Sequence, residues 1–317
     1  MTSEYRLFPL ADWSRVSEVQ EVFRQGLGET TEAYWDWKYR EENGLPERIL
    51  LVAENQCGEL IALTGLQPLD YQIGGKLYRM VQEQDRVILP QYRGTGLMRN
   101  LYFFAIDYCK KNGYDAFIQH PNEKSFHIDI KYGATDMGQV GSMSSYKRLL
   151  PFSVKPTFLK RVHGWELQIV DRLPEDVFFE ESTAECKLQK SKAFMRWRFE
   201  NIPEEHFQWM TIRKDGTLNG YVVFQTLHGR FRTAVNIYDY ELKKDIPQDV
   251  LVQAVRLLKS HGSWVSLWGR CSPKEQAMWA KAGLHVTEQG GSHFTLHPFD
   301  GQKMPADWHL TRVDLDF

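Results

Sequence analysis

One short segment of this 317-residue chain constrains its fold more than any other. Three consecutive apolar residues predict a buried strand: Val87, Ile88 and Leu89. Pro90 predicts the end of that strand, because proline has no N–H for the ladder. Gly94 and Gly96 follow, and apolar residues then recur at helical spacing as far as Gly113. The segment therefore predicts a strand, a glycine turn and a helix.

Such a segment is a candidate anion site. A helix that begins directly after a glycine turn aims backbone N–H groups, and the positive end of its dipole, at one point. A phosphate group is the anion expected there. Two glycines alone are weak evidence, because most such pairs form ordinary turns. The predicted strand and helix on either side supply the context that the motif requires.

The run of residues 90–96, Pro-Gln-Tyr-Arg-Gly-Thr-Gly, resembles the pyrophosphate loop of the GNAT acetyltransferases. The pattern of that family is Gln/Arg-x-x-Gly-x-Gly/Ala after a strand, and Gln91, Gly94 and Gly96 occupy its fixed positions. The resemblance extends over residues 1–150.

A second segment is similar to the same family. Residues 116–120 have the composition of a strand, and Asn122, Ser125 and Gly133 follow at the spacing of the family's next helix. The residue types depart from the pattern at Asp129, where the family usually has a tyrosine.

The resemblance implies an α/β fold in which a mixed sheet is flanked by helices. It also implies acetyl-CoA, or another acyl-CoA, as co-substrate, with its pyrophosphate on the loop and its pantetheine along the central strand. No metal is expected. The co-substrate-binding residues implied are Val87, Ile88, Leu89, Gln91, Tyr92, Arg93, Gly94, Thr95, Gly96, Leu97, Asn122 and Ser125.

The reaction centre implied by the resemblance is a gap between two parallel strands. These strands end at residues 87–89 and 117–119. An amine would attack the thioester in this gap, and a strand N–H near Val87 or Ile88 would hold the oxyanion.

The acceptor amine must lose a proton before it can attack. For an alkylamine of pKa about 10.4, this costs about 4–5 kcal/mol at pH 7. Glu83 and Asp85 lie just upstream on the central strand and share a face if the period of two holds, so either is a candidate base. The alternative, given equal weight, is that both are solvated carboxylates at a strand edge.

Asp129 is the third candidate catalytic residue, since the family's tyrosine at this position protonates the leaving thiolate. An aspartate of pKa about 3.9 is ionised and is no acid unless it is desolvated. Loss of the acid is tolerable, because a thiol of pKa about 8.5 leaves reasonably well unaided.

The second half of the chain repeats the order of the first. Residues 194–201, Phe-Met-Arg-Trp-Arg-Phe-Glu-Asn, match the aromatic and basic pattern of residues 34–43. A strand, a glycine hairpin and a strand follow both copies, which indicates an internal repeat. We therefore predict two tandem GNAT-like domains, residues 1–150 and 151–317, with a linker at residues 151–156. Two unrelated domains that share an aromatic helix are the alternative.

The second copy lacks the glycine loop. Residues 239–247, Asp-Tyr-Glu-Leu-Lys-Lys-Asp-Ile-Pro, stand in its place. Their side chains would keep a pyrophosphate from the backbone, and Glu241 would repel it. We predict a degenerate domain that does not bind the co-substrate in the family's way.

Composition narrows the class of partner and the compartment. The formal net charge of −2 provides no basic field for nucleic acid or an anionic membrane. No window reaches the roughly 18 apolar residues of a membrane span, and the N-terminal residues lack the apolar core of a signal peptide. Four separated cysteines without a Cys-x-x-Cys pair indicate reduced thiols in a cytoplasm rather than a zinc site.

These observations predict a cytoplasmic N-acetyltransferase that moves an acetyl group from acetyl-CoA to the primary amine of a small metabolite. The segment 307–314 resembles Trp-rich tails of tandem GNAT proteins from polysaccharide loci, which weakly favours an amino sugar. Two alternatives stay open. One is a non-catalytic acyl-CoA sensor. The other is a cell-wall aminoacyl transferase, which would need a basic groove for aminoacyl-tRNA and is disfavoured by the negative net charge.

Overall fold

A computed structural model of the chain describes residues 5–40, 48–146, 156–179, 186–230, 232–287, 292–299, 304–305 and 308–314. The linker expected at residues 151–156 lies, apart from Pro156, outside the described residues. Within the described residues, no helix is both long enough and apolar enough to cross a membrane.

Short runs of strands are separated by helices along the chain. The strands are β1 (Tyr5–Pro9), β2 (Ile49–Asn55), β3 (Leu60–Ile73), β4 (Lys76–Ile88), β5 (Ala116–Gln119), β6 (Thr135–Gln139), β7 (Gly141–Tyr146), β8 (Leu159–Val162), β9 (Trp165–Val170), β10 (Cys186–Leu188), β11 (Gln208–Lys214), β12 (Thr217–His228), β13 (Thr233–Leu242), β14 (Trp264–Arg270), β15 (His285–Thr287), β16 (His293–Pro298) and β17 (Trp308–Thr311). The α-helices are α1 (Val16–Leu27), α2 (Glu32–Trp35), α3 (Leu97–Lys111), α4 (Glu123–Lys131), α5 (Lys192–Phe199), α6 (Gln248–His261) and α7 (Pro273–Ala282). Shorter helical turns lie at Trp13–Arg15, Asp36–Arg40, Pro90–Tyr92 and Arg312–Asp314.

The chain forms two compact units, and neither is continuous in sequence. Unit 1 contains Met1–Gly138 and His293–Met304, and unit 2 contains Gln139–Ser292 and Pro305–Phe317. This division differs from the contiguous segments expected on either side of residue 150. Strand β7 of the first half belongs to unit 2, and β16 of the second half belongs to unit 1.

The sheet of unit 1 has the order β1-β2-β3-β4-β5-β16-β6. Strands β4 and β5 are parallel, whereas β1 to β4 and the pair β5 and β16 are antiparallel. Leu50 and Val52 of β2 pack with α1, and Leu51 and Ala53 pack with α3. Since alternate residues of a strand point to opposite faces, α1 and α3 cover opposite faces of this sheet.

A β-bulge interrupts β4. Gln84 pairs with Gly65 of β3, and the pairing resumes at Val87 opposite Leu63. Two residues of β4, Asp85 and Arg86, therefore oppose one residue of β3. Asp85 has a φ of 49°, in the left-handed region that residues with a side chain rarely adopt.

From α5 to β15, unit 2 has the same order of helices and strands as unit 1 from α2 to β6. Its sheet runs β8-β9-β11-β12-β13-β14-β7-β15, and β13 and β14 are its parallel pair. Helices α6 and α7 precede and follow β14, as α3 and α4 precede and follow β5. Strand β7 pairs with β14 in unit 2, and β16 pairs with β5 in unit 1.

The close contact between β14 and β17 predicts that alanine substitutions at two paired glycines will differ in their effect on stability. Gly269 of β14 pairs with Gly141 of β7. A Cβ at Gly269 would lie 2.3 Å from the carbonyl oxygen of Leu310, whereas a Cβ at Gly141 would have nothing within 4 Å. We expect Gly269→Ala to lower the free energy of unfolding by about 1–3 kcal/mol, the usual cost of overpacking.

The matched control, Gly141→Ala, should stay within about 0.5 kcal/mol of the parent protein. Urea-induced unfolding of both variants measures the difference. Equal destabilisation by the two substitutions would contradict the close approach of β14 and β17.

Candidate active site

The loop after β4 is shaped by two glycines. The chain makes a helical turn at Pro90–Tyr92 and enters α3 at Leu97. Gly94 and Gly96 have φ angles of 80° and 87°, which are strained for any residue with a side chain. A Cβ would have nothing within 4 Å at either position. Glycine is therefore required by the backbone conformation, and the space in front of the loop is open.

The backbone amides of this loop have no acceptor in the described part of the chain. This holds for the N–H groups of Gly94, Thr95 and Gly96. The hydroxyl of Thr95 stabilises the turn by donating to the carbonyl oxygen of Tyr92 at 2.8 Å. The open amides directly precede the N-terminus of the 15-residue helix α3, which is the arrangement that binds anions.

Several side chains expected to bind the co-substrate make contacts within the protein. Four are buried in the cores on the two faces of the sheet: Val87, Ile88, Leu89 and Leu97. Tyr92 accepts a hydrogen bond from Asn55 at 3.0 Å, and Arg93 donates to the carbonyl oxygen of Ile88 at 3.1 Å. Only the backbone of the four buried residues remains for a ligand. Gln91 is exposed.

Asn122 caps helix α4. Its side-chain oxygen accepts from the N–H groups of Lys124 and Ser125 at 3.0 and 3.1 Å. This explains the asparagine by the local demand of a helix N-terminus. The amide nitrogen of Asn122 is the part of its side chain that the cap does not use.

The parallel strands β4 and β5 separate well before the end of β4. They pair only from Met80–Gln82 with Ala116–Ile118, although β4 continues to Ile88. A gap between parallel strands was expected near residues 87–89. The register shows that it opens already at Glu83.

Glu83 is buried at the start of this gap, with 5% of its side chain exposed. It accepts hydrogen bonds from Thr64 at 3.0 Å and from Gln119 at 2.5 Å, and Arg86 lies 3.2 Å away. Burial raises the pKa of Glu83, Arg86 opposes this rise, and Asp129 adds to it. A carboxylate of raised pKa is suited to accept a proton.

Asp129 of α4 completes a cluster of three charges. Its side chain is buried, and Arg86 donates to it at 2.7 Å. Burial raises the pKa of Asp129 although Arg86 opposes the rise. One guanidinium thus serves two carboxylates, and the guanidinium carbon lies 5.5 Å from the ring centroid of Tyr102.

Arg86 is a residue of this cluster that the sequence pattern does not reveal. In an uninterrupted strand, Arg86 would point away from Glu83, because neighbours at odd spacing lie on opposite faces. The bulge at Asp85 and Arg86 places Arg86 on the same face as Glu83. No local pattern in the sequence predicts this bulge.

The expectation that Glu83 and Asp85 share a face is wrong. Asp85 accepts a hydrogen bond from Tyr39 and lies 2.8 Å from Lys38, on the face covered by α1. Gly65 makes room for Tyr39, since a Cβ there would lie 2.4 Å from the tyrosine oxygen. Neither carboxylate is a solvated edge residue, because their side chains are 5% and 9% exposed.

His120 directly follows β5 and was also missed. Its ring stacks on Phe294 at a centroid distance of 5.2 Å, and neither ring nitrogen has a partner among the described residues. Burial lowers the pKa of His120 to about 3. The imidazole is therefore neutral at physiological pH.

Residues 5–136 match the family model described as "Acetyltransferase (GNAT) domain". This segment includes the glycine loop, the gap and all three charges of the buried cluster. No curated protein matches the sequence.

Solved structures match over both units. A GCN5-related N-acetyltransferase from Anabaena variabilis is 14% identical with a TM-score of 0.65, over 92% of this chain and 73% of that one. A conserved protein of unknown function from Enterococcus faecalis, described as a probable N-acyltransferase, is 11% identical with a TM-score of 0.67, over 93% and 72%. N-myristoyltransferase from Saccharomyces cerevisiae with bound myristoyl-CoA is 9% identical with a TM-score of 0.57, over 98% and 83%. At these identities the likeness concerns the fold, and it confirms the predicted α/β class of mixed sheets flanked by helices.

Because two buried carboxylates share the guanidinium of Arg86, we expect its removal to destabilise the protein strongly. Arg86→Met leaves two buried carboxylates without a cation, so we expect a loss of about 3–5 kcal/mol in the free energy of unfolding near neutral pH. The raised pKa values of Glu83 and Asp129 mean that the folded state takes up protons as pH falls. The loss should therefore be larger at about pH 8 than at about pH 5.

Urea-induced unfolding at the two pH values measures this effect. The double variant Glu83→Gln/Arg86→Met is the control, because it removes one of the two stranded carboxylates and should recover part of the loss. A double variant no more stable than Arg86→Met would contradict the assigned coupling.

Because His120 is buried as a neutral imidazole, we expect it to make the stability of the protein more sensitive to acid. A lowered pKa means that its stabilising contribution is complete above the unfolded value near 6.5 and is lost as pH falls toward about 3. His120→Phe keeps an aromatic ring against Phe294 and removes the titration. Its stability should fall less steeply than that of the parent protein between these values, in thermal unfolding measured against pH. Identical slopes would contradict a buried neutral imidazole.

Proposed function

We propose that this protein is an acyl-CoA-dependent N-acyltransferase that transfers an acetyl group to the primary amine of a small metabolite. One observation carries the proposal. Strand β4 leaves its parallel neighbour and runs directly into a loop with three open amides at a helix N-terminus. The match of residues 5–136 and the neighbour described as a probable N-acyltransferase support acyl transfer in general.

The loop fits the diphosphate of an acyl-CoA. The N–H groups of Gly94, Thr95 and Gly96 are the donors that would hold it, and the missing Cβ atoms leave room for its approach. The bound acyl-CoA would supply an acyl group activated as a thioester. Buried Val87 and Ile88 would contribute through their backbone, as donors to the oxyanion.

Glu83 is the proposed general base. Its carboxylate would accept the proton of the attacking amine, and its raised pKa improves the match to that task. Arg86 is a positioning residue, because it holds Glu83 and Asp129 together through contacts of 3.2 and 2.7 Å.

Asp129 can hold a proton for the leaving thiolate. The condition for this role was desolvation, and the side chain is buried with a raised pKa. Asp85 is the weaker candidate for chemistry, since Lys38 and Tyr39 already occupy its carboxylate.

Unit 2 is, in this proposal, a degenerate copy of the same domain. The support is its order of strands and helices and the absence of glycine from residues 239–247. An amino sugar is the first acceptor class to test, and a cytoplasmic location is part of the proposal.

Acetyl-CoA should stabilise the protein through the glycine loop. At a concentration about a hundredfold above its dissociation constant, it should add about 2.7 kcal/mol to the free energy of unfolding. Gly96→Glu should abolish this gain, because it places a carboxylate and a side chain where the diphosphate meets the backbone. Thermal-shift measurements with and without acetyl-CoA check the effect.

Gly75→Glu is the matched control. Gly75 lies in the turn between β3 and β4, with a φ of 82° and open space around a Cβ, so its backbone strain equals that at Gly96. It should retain the full gain. Unchanged protection of Gly96→Glu would contradict the loop assignment.

Turnover should depend on Glu83. With a panel of amines and amino sugars, thiol release by Glu83→Gln should fall about 10²–10⁴-fold, while acetyl-CoA still protects the variant. The kcat/KM of the parent enzyme should fall as pH drops through the raised pKa of Glu83, because the protonated acid cannot accept the amine proton. If acetyl-CoA protects the protein but no amine leads to thiol release, the alternative of a non-catalytic acyl-CoA sensor would be favoured instead.

A further inference from the structure

Unit 2 contains a pocket of about 320 Å³ that the proposed acyl transfer does not use. It lies where β13 ends and where α6 and α7 begin, and His309 of β17 contributes to its wall. In the order of elements, this point corresponds to the end of β4 and the starts of α3 and α4 in unit 1. The chemical groups at the two points differ.

No glycine backbone is open in this pocket. Leu242 and Ile246 lie over Gly220, where a Cβ would be 2.9 Å from Leu242 and 3.0 Å from Ile246. Leu242 and Ile246 also line the pocket, and there is no glycine among the described residues that line it. A ligand here would be held by side chains rather than by a glycine loop.

The pocket has an excess of positive charge. Lys244 and Lys274 line it, and neither has a carboxylate partner among the described residues. Lys243, another lysine of the lining, lies 4.7 Å from the ring centroid of Phe178. Such lysines attract an anion that enters from solvent.

The carboxylates of the lining are already compensated. Glu241 lies 2.6 Å from Lys187 and 2.7 Å from Lys190, and these lysines lower its pKa against the effect of burial. Burial likewise opposes ionisation of Glu275, but the hydrogen bond from His309 helps to lower its pKa to about 2. The described lining thus contains four lysines and two carboxylates, which leaves an excess of positive charge.

His309 provides a polar atom without a partner. The residue is 5% exposed, its Nδ1 lies 3.1 Å from Glu275, and its Nε2 has no partner among the described residues. Because a buried polar atom costs free energy when it is left unsatisfied, Nε2 points to a ligand group. Leu251 and Met278 provide apolar walls.

We propose that this pocket binds a small anion with an apolar body. Its carboxylate or phosphate would lie between Lys244 and Lys274, and its body would pack on Leu251 and Met278. A hydrogen-bonding group of the ligand would reach Nε2 of His309. The volume is at the lower end of the range for small-molecule sites. This site does not depend on the proposed acyl transfer.

Competition against a fluorescent anion tests the proposal. The probe is 8-anilinonaphthalene-1-sulfonate, an aromatic sulfonate, and we expect one equivalent to bind. Hexyl phosphate, hexanoate or both should displace it, and hexan-1-ol at the same concentration should not. Displacement by one anion alone identifies phosphate or carboxylate as the natural group. Failure of both anions to displace the probe, or displacement by the alcohol as well, would overturn the proposal.

Charge and volume are tested separately. Lys244→Glu/Lys274→Glu should weaken binding of the probe at least tenfold, and Met278→Trp should weaken it by filling the pocket without a change of charge. Lys281→Glu is the matched control, because Lys281 is exposed on the same helix as Lys274 but does not line the pocket. Gly96→Glu should leave the binding unchanged. Binding that Gly96→Glu abolishes and the lysine variants leave intact would refute the site.

Discussion

The early separation of β4 from β5 is the constraint on which the rest of unit 1 depends. After Gln82, β4 keeps its hydrogen-bonded neighbour β3 on one side and loses β5 on the other. Buried backbone groups require partners, so an edge opened inside a domain is a place for a ligand or for polar side chains. Here the bulge turns Arg86 onto the face of Glu83, and the cluster forms beside the opened edge.

This arrangement costs stability. The left-handed conformation of Asp85 is of the kind that costs about 1–3 kcal/mol. Two buried carboxylates that share one guanidinium are less favourable than well-packed apolar residues of similar size would be. At the proposed reaction centre this cost has a function, because the same desolvation raises the pKa of Glu83 and makes its carboxylate a better proton acceptor.

The two units share an order of helices and strands from α2 to β6 and from α5 to β15, but the chemical groups after β4 and after β13 differ. In unit 1, backbone amides at Gly94–Gly96 are the proposed donors, and the positive φ angles of the two glycines set their directions. In unit 2, the described lining of the pocket contains no glycine, and lysine side chains are the proposed donors. Fixed amides suit a diphosphate of defined geometry, whereas flexible ammonium groups accept anions of several shapes.

Local chemistry explains what the sequence alone determined. Pro90, Gly94 and Gly96 restrict or permit particular backbone conformations at their own positions. The end of the strand, the loop and the start of α3 could therefore be predicted without knowledge of any tertiary contact. The same is true of the cap at Asn122, although the sequence alone assigned it to the co-substrate. Helix and strand patterns repeated in the second half because each element carries its own periodicity.

The tertiary structure alone decided which side chains meet. The register between β3 and β4 depends on the assembled sheet, and the single extra residue of the bulge separated Asp85 from Glu83 and brought Arg86 to it. The placement of β7 and β16 rests on pairing with strands far away in sequence, so no local signal could reveal it. The lysines of the unit 2 pocket come from three separate segments, Lys187 of β10, the residues after β13 and Lys274 of α7, and only the tertiary packing brings them to one cavity.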